Sequence, residues 1–121
     1  MRSPSLLASF KYAWEGIAHA FRTQRNFRIH MGVSSAVGVA GLLLRVEGTE
    51  WAALILTIGL VFLAELFNTA IEAIVDHVAP EFHALAKIAK DCAAGAVFVA
   101  ALAAVGVGIA IFGPRLLGLF K

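Results

Sequence analysis

The stretch Glu65-Leu66-Phe67-Asn68-Thr69-Ala70-Ile71-Glu72-Ala73-Ile74-Val75-Asp76 sets three carboxylates and one amide inside an otherwise apolar run. At about 100° per residue, Glu65, Asn68, Glu72 and Asp76 fall within roughly 80° of one helix face. An ionisable side chain in a bilayer costs roughly 2.5–3.5 kcal/mol on insertion scales. A stripe of them must be offset by a bound cation, a basic partner or a water-filled site, which makes it a candidate functional site.

Working outward, the run extends from Trp51, an interface anchor, to Val78, and Pro80 ends it. Residues 51–78 make about 42 Å of helix, longer than the roughly 30 Å hydrocarbon core, so the C-terminal turns must tilt or project into water. A span from Phe27 to Leu44 precedes it across a polar loop, Arg45 to Glu50. A further span follows the Glu81 to Lys90 connection, over 87–112, with Gly113-Pro114 expected to stop it. The alanines and glycines of that last segment favour close helix packing. Residues 5–22 have helical periodicity but are too polar to span. Leu6, Phe10, Ala13, Trp14, Ile17 and Phe21 share one face, and Lys11, Glu15, His19 and Arg22 the other. This predicts a helix lying in the membrane interface, capped by Ser3 or Ser5.

Composition agrees with a membrane protein. The 121 residues are 60% hydrophobic and 15% charged, with a mean hydropathy of +0.86; soluble domains are about 45–50% apolar and about 25% charged. The length suits one domain, residues 1–121. No basic run with interleaved aromatics suggests nucleic acid, and no cleavable leader is expected at the N-terminus. Cys92 is the lone cysteine, so no intrachain disulfide can form. Seven of the ten Lys and Arg residues lie before the first span, in its first turn (Arg28) or in the Glu81–Lys90 connection. The positive-inside rule therefore puts those segments in the cytoplasm.

That orientation sets the depth of the stripe. Glu65 lies about 21 Å along the helix from Trp51, inside the inner half of the membrane, and Glu72 lies at about 31 Å, at the cytoplasmic boundary. Such a site can meet a soluble phosphate donor on one side and a lipid headgroup on the other. Lys87, Lys90 and Asp91 share a face at the start of the last helix, and Lys90 beside Asp91 can hold a phosphate and position a donor or cation. Phosphoryl transfer needs a divalent cation, positive groups on the phosphates and a base for the attacking hydroxyl. No Walker or protein-kinase glycine loop is present. Asp76, His77, Glu81 and His83 are weak zinc candidates, because no His-x-x-x-His pair occurs. A different class, a non-enzymatic proton or cation pathway, would also use Glu65 and Glu72.

The pattern Glu65-x-x-Asn68-Thr69-Ala70-Ile71-Glu72-x-x-x-Asp76, then Ala89-Lys90-Asp91, together with Tyr12-x-Trp14-x-Gly16, resembles the small prokaryotic diacylglycerol kinase/undecaprenol kinase family. The likeness covers residues 10 to 113. Arg25-Asn26-Phe27-Arg28-Ile29-His30 and Glu50-Trp51 resemble the Gram-positive, undecaprenol-type branch. The resemblance implies an all-α integral membrane fold of one surface helix and three transmembrane helices, assembled as a homotrimer with sites between subunits. It also implies a bacterial inner-membrane enzyme that transfers the ATP γ-phosphate to a lipid alcohol with Mg²⁺. The acceptor it favours is undecaprenol, with diacylglycerol as the alternative.

By the same resemblance Glu65 is the general base and Glu72 a metal ligand. Tyr12, Asn68, Asp76, Glu81, His83, Lys90 and Asp91, with Glu72, would surround the nucleotide. Trp14, Asn26, His30 and Trp51, with Glu65, would meet the lipid. Gln24 stands where the family has a second metal-binding glutamate. Its amide oxygen can ligate a cation but brings no negative charge, so weaker metal binding is expected.

Overall fold

In the computed structural model, which describes residues 4–121, the chain forms four helices: α1 (Leu6–Thr23), α2 (Arg25–Leu43), α3 (Gly48–Val78) and α4 (Ala84–Gly118). Ser5 caps α1, its Oγ accepting the Ala8 N–H at 3.2 Å; Ser3 lies outside the described residues. Gln24 alone separates α1 from α2, in extended backbone with φ −109° and ψ 111°. Arg28 then reaches back, Nη1 donating to the carbonyls of Phe21 at 2.8 Å and Arg22 at 3.1 Å. These are the orphan acceptors of a helix C-terminus, where a cation is also favoured by the helix dipole.

After α2 the chain turns at Arg45, whose φ of 56° is left-handed. The Val46 N–H bonds the Gly41 carbonyl at 3.0 Å, closing a Schellman turn with arginine where glycine is usual. Helix α3 begins before Trp51, at Gly48, because the Glu50 carboxylate accepts the Glu47 N–H at 3.3 Å. It ends at Val78, two positions ahead of Pro80. Helix α4 begins at Ala84, earlier than Lys87, because His83 caps it: Nδ1 accepts the Leu85 N–H at 3.1 Å.

The stop expected at Gly113-Pro114 is not there. Helix α4 continues through Pro114 to Gly118. Proline removes one backbone donor, but Arg115 just beyond it is bound on three sides. Its Nη1 donates to the Ile111 carbonyl at 2.9 Å, its Nε to the Leu44 carbonyl at 3.2 Å, and its guanidinium pairs with Glu50.

Helices α3 and α4 pack as a long antiparallel pair. The register sets Glu50 against Arg115, Leu54 against Ile111 and Asp76 against Lys90. Carried along, it brings the buried Ala100 level with Glu65. Near the α2–α3 turn, Val46, Leu54 and Ile111 form a small core with Trp51 against it. Gly41 is required there, since a Cβ would lie 2.5 Å from Trp51 Cη2. Farther along, the Phe27 ring packs against Phe62 at 5.1 Å, tilted by 58°.

Helices α3, of 31 residues, and α4, of 35, are long and apolar enough to cross a membrane. Only 22% and 11% of their most apolar stretches are buried within the protein. The core helix of a soluble protein would be mostly covered, so these faces suit lipid or further protein. Helix α2 falls short of that standard, with Arg25, Arg28 and His30 in its first turns. The two long apolar helices are consistent with a small membrane protein. On α1, Leu6, Phe10 and Trp14 face outward, while Ala20 is buried.

Candidate active site

The acidic stripe descends α3 from a buried to an exposed end. Glu65 is only 2% exposed, beside His30 of α2 and one turn along α3 from Phe62, which packs on Phe27. His30 Nε2 lies 3.2 Å from Glu65 Oε1. The spacing is that of an ion pair, but the direction leaves Oε1 without an aligned hydrogen bond. Thr69 donates to the Glu65 backbone carbonyl at 2.9 Å. Asn68 Nδ2 donates to Glu72 Oε1 at 3.4 Å, while Asn68 Oδ1 is buried without a partner.

At the exposed end, Asp76 accepts from Lys90 Nζ at 2.6 Å and Asp91 from Lys87 Nζ at 2.5 Å. The sequence groups Lys90 with its neighbour Asp91; the fold pairs it across helices with Asp76. These residues, with Glu81 and His83, line a hollow of about 400 Å³ around the α3–α4 connection. Each of the two lysines is already paired with an aspartate and Glu81 adds a third carboxylate, so a phosphorylated ligand would enter this hollow together with a cation.

The other expected residues lie elsewhere. Tyr12 lines a groove between α1 and α3 with Gly16, Thr69, Ala70 and Ala73. Trp14 is 71% exposed and Asn26 is exposed. Trp51 packs on Gly41, about 21 Å along α3 from Glu65, at the opposite end from the stripe. Gln24 sits at the α1–α2 junction, its Nε2 3.4 Å from Thr23 Oγ1, and hydrogen-bonds no carboxylate.

Among the described residues no three His, Cys, Asp or Glu converge to hold a metal ion. The stripe does offer two neighbouring oxygen donors, the Glu72 carboxylate and the unpartnered Asn68 Oδ1. That set suits a hard divalent cation that completes its shell with phosphate and water.

Sequence reasoning missed three contacts, the His30–Glu65 approach, the Lys90–Asp76 pair and the Arg115 clasp. All three join residues distant in sequence; for Glu65 the intramembrane carboxylate was the signal that a basic partner should exist.

Comparison with known proteins gives the family. Residues 11–112 match the family described as prokaryotic diacylglycerol kinase. A diacylglycerol kinase of Synechocystis is 55% identical over 97% of this chain and 67% of its own length. An undecaprenol kinase of Bacillus subtilis is 45% identical over 89% of this chain and 88% of its own. A diacylglycerol kinase of Escherichia coli K12 is 36% identical over 78% of this chain and 77% of its own. With the acidic stripe on a membrane-length helix and these matches over most of its length, the chain belongs to the prokaryotic diacylglycerol kinase family of lipid kinases.

Proposed function

We propose that the chain transfers the γ-phosphate of ATP to a membrane lipid alcohol, with undecaprenol the leading acceptor and diacylglycerol the second. The observation that carries this is Glu65, a carboxylate 2% exposed on a helix that can cross a membrane, at the head of a polar stripe leading to the lysine-lined hollow. Glu65 takes the proton of the acceptor hydroxyl. The hydroxyl oxygen forms a bond to the γ-phosphorus as the bond to the bridging oxygen breaks, and ADP leaves with that electron pair. Lys90 and Lys87 hold the phosphates, and Asp76 and Asp91 orient those lysines. Tyr12, Glu81 and His83 border the nucleotide, while Trp14, Asn26 and His30 border the lipid.

Glu72 and the Asn68 amide oxygen would hold Mg²⁺, with Gln24 as a weak third donor from another subunit. The bound cation neutralises charge on the transferring phosphate. Helix α2 is the third span, and the N-terminus and the α3–α4 connection face the cytoplasm of a bacterial inner membrane. A homotrimer would cover the exposed apolar faces of α3 and α4 and complete the site. The non-enzymatic proton or cation pathway is set aside, because the chain belongs to a family of lipid kinases.

The undecaprenol reading rests on the Arg25–His30 and Glu50-Trp51 patterns and on the Bacillus relative. The diacylglycerol reading is favoured by the 55% identical Synechocystis relative. Competition between the two lipids in mixed micelles separates them. Preferential label in undecaprenyl phosphate supports the first, and label mainly in phosphatidic acid supports the second.

A further inference from the structure

Glu65 has few groups to hold it in one orientation. Its polar neighbours on α3 are otherwise engaged: Thr69 bonds the Glu65 backbone carbonyl, and Asn68 donates to Glu72. Among the described residues one basic side chain lies against its carboxylate, His30, with Nε2 at 3.2 Å from Oε1. The imidazole is itself confined. One turn before it on α2, the buried Phe27 packs on Phe62, one turn before Glu65 on α3. On its other side His30 lines a mainly apolar cleft of about 380 Å³ between α2, α3 and α4, with Val33, Leu54, Val61 and Val105. The ring therefore stands between this apolar cleft and the buried carboxylate.

We propose that His30 is the positioning residue of Glu65: its Nε2–H holds Oε1, turning the other oxygen, Oε2, to the acceptor hydroxyl. This rests on the reading of Glu65 as the base. The contact is at hydrogen-bond distance but off axis. Catalytic hydrogen bonds are often poorly aligned before substrate binds and tighten in the complex. The sequence placed His30 at the lipid entrance only; the fold gives it a partner.

A double-mutant cycle on the full-length protein, in mixed micelles with MgATP and undecaprenol or diacylglycerol, tests this. His30→Ala is expected to lower kcat by on the order of 10²-fold, the size of a misplaced catalytic group, with KM for MgATP unchanged. His30→Gln, whose amide N–H can replace the imidazole donor, should recover most of that loss. In a Glu65→Gln background, His30→Ala should cost less than about twofold, because the group it positions is gone. His30→Asn is too short to reach Oε1 and should match His30→Ala, which keeps the comparison if the alanine variant fails to assemble. Equal losses in both backgrounds, no recovery with glutamine, or unchanged kcat in both short variants would each overturn the proposal. Full activity of Glu65→Gln alone would overturn the base assignment itself, so the two failures are read from different variants.

Discussion

Arg115 and Glu50, 65 residues apart in sequence, meet through two parallel hydrogen bonds, Nη1 to Oε2 at 2.7 Å and Nη2 to Oε1 at 2.5 Å. The same guanidinium bonds the Leu44 carbonyl at the end of α2, so one side chain ties three helices at the end of the molecule away from the acidic hollow. Such planar, two-point recognition is specific to arginine. Arg115→Gln and Glu50→Gln should each lower the thermal midpoint in detergent, and the double variant should lose little beyond the worse single one. Fully additive losses would show that the two side chains act independently.

Arg45 holds a left-handed φ of 56° at the close of α2. A side chain there costs about 1 kcal/mol relative to glycine. Arg45→Gly should therefore stabilise the protein by about that much, read as a higher denaturation midpoint. A lower midpoint would mean that the arginine side chain contributes more than its backbone strain costs.

Lys90 is paired with Asp76 at 2.6 Å over the hollow around the α3–α4 connection. Lys90→Ala should raise KM for MgATP at least about tenfold, the scale of one charge-assisted hydrogen bond. Its KM for the lipid should change little, since the hollow lies beyond the apolar cleft. A selective rise in lipid KM would reassign the hollow.

Gln24 lacks the negative charge of a carboxylate. Gln24→Glu is expected to lower the Mg²⁺ concentration needed for half-maximal rate, because a carboxylate is the stronger ligand for a hard cation. An unchanged metal titration would show that this position does not reach the cation.

Much of the fold was legible in the sequence because its signals are local. Apolar runs, Trp51 at the head of α3, Pro80 after its end and the periodicity of 5–22 all act within a few residues. The acidic stripe was legible because α3 is regular from Gly48 to Val78, so spacing alone fixes the shared face. The end of α4 was not, since Pro114 is a local stop signal overridden by a tertiary contact of the next residue, Arg115. The partners of Lys90 and Glu65 were likewise hidden. Asp76 and His30 reach them only through helix packing, which no spacing rule on one helix reveals.

The central claim is that Glu65 takes the proton of a lipid hydroxyl during phosphoryl transfer. The most direct test is the rate of label transfer from γ-labelled MgATP to lipid alcohol in mixed micelles, comparing the unaltered protein with Glu65→Gln. The account predicts a labelled lipid phosphate with the unaltered chain and turnover lower by about 10²–10⁴-fold in the variant, with the fold retained. No labelled lipid from the unaltered protein, or equal rates from both, would contradict it.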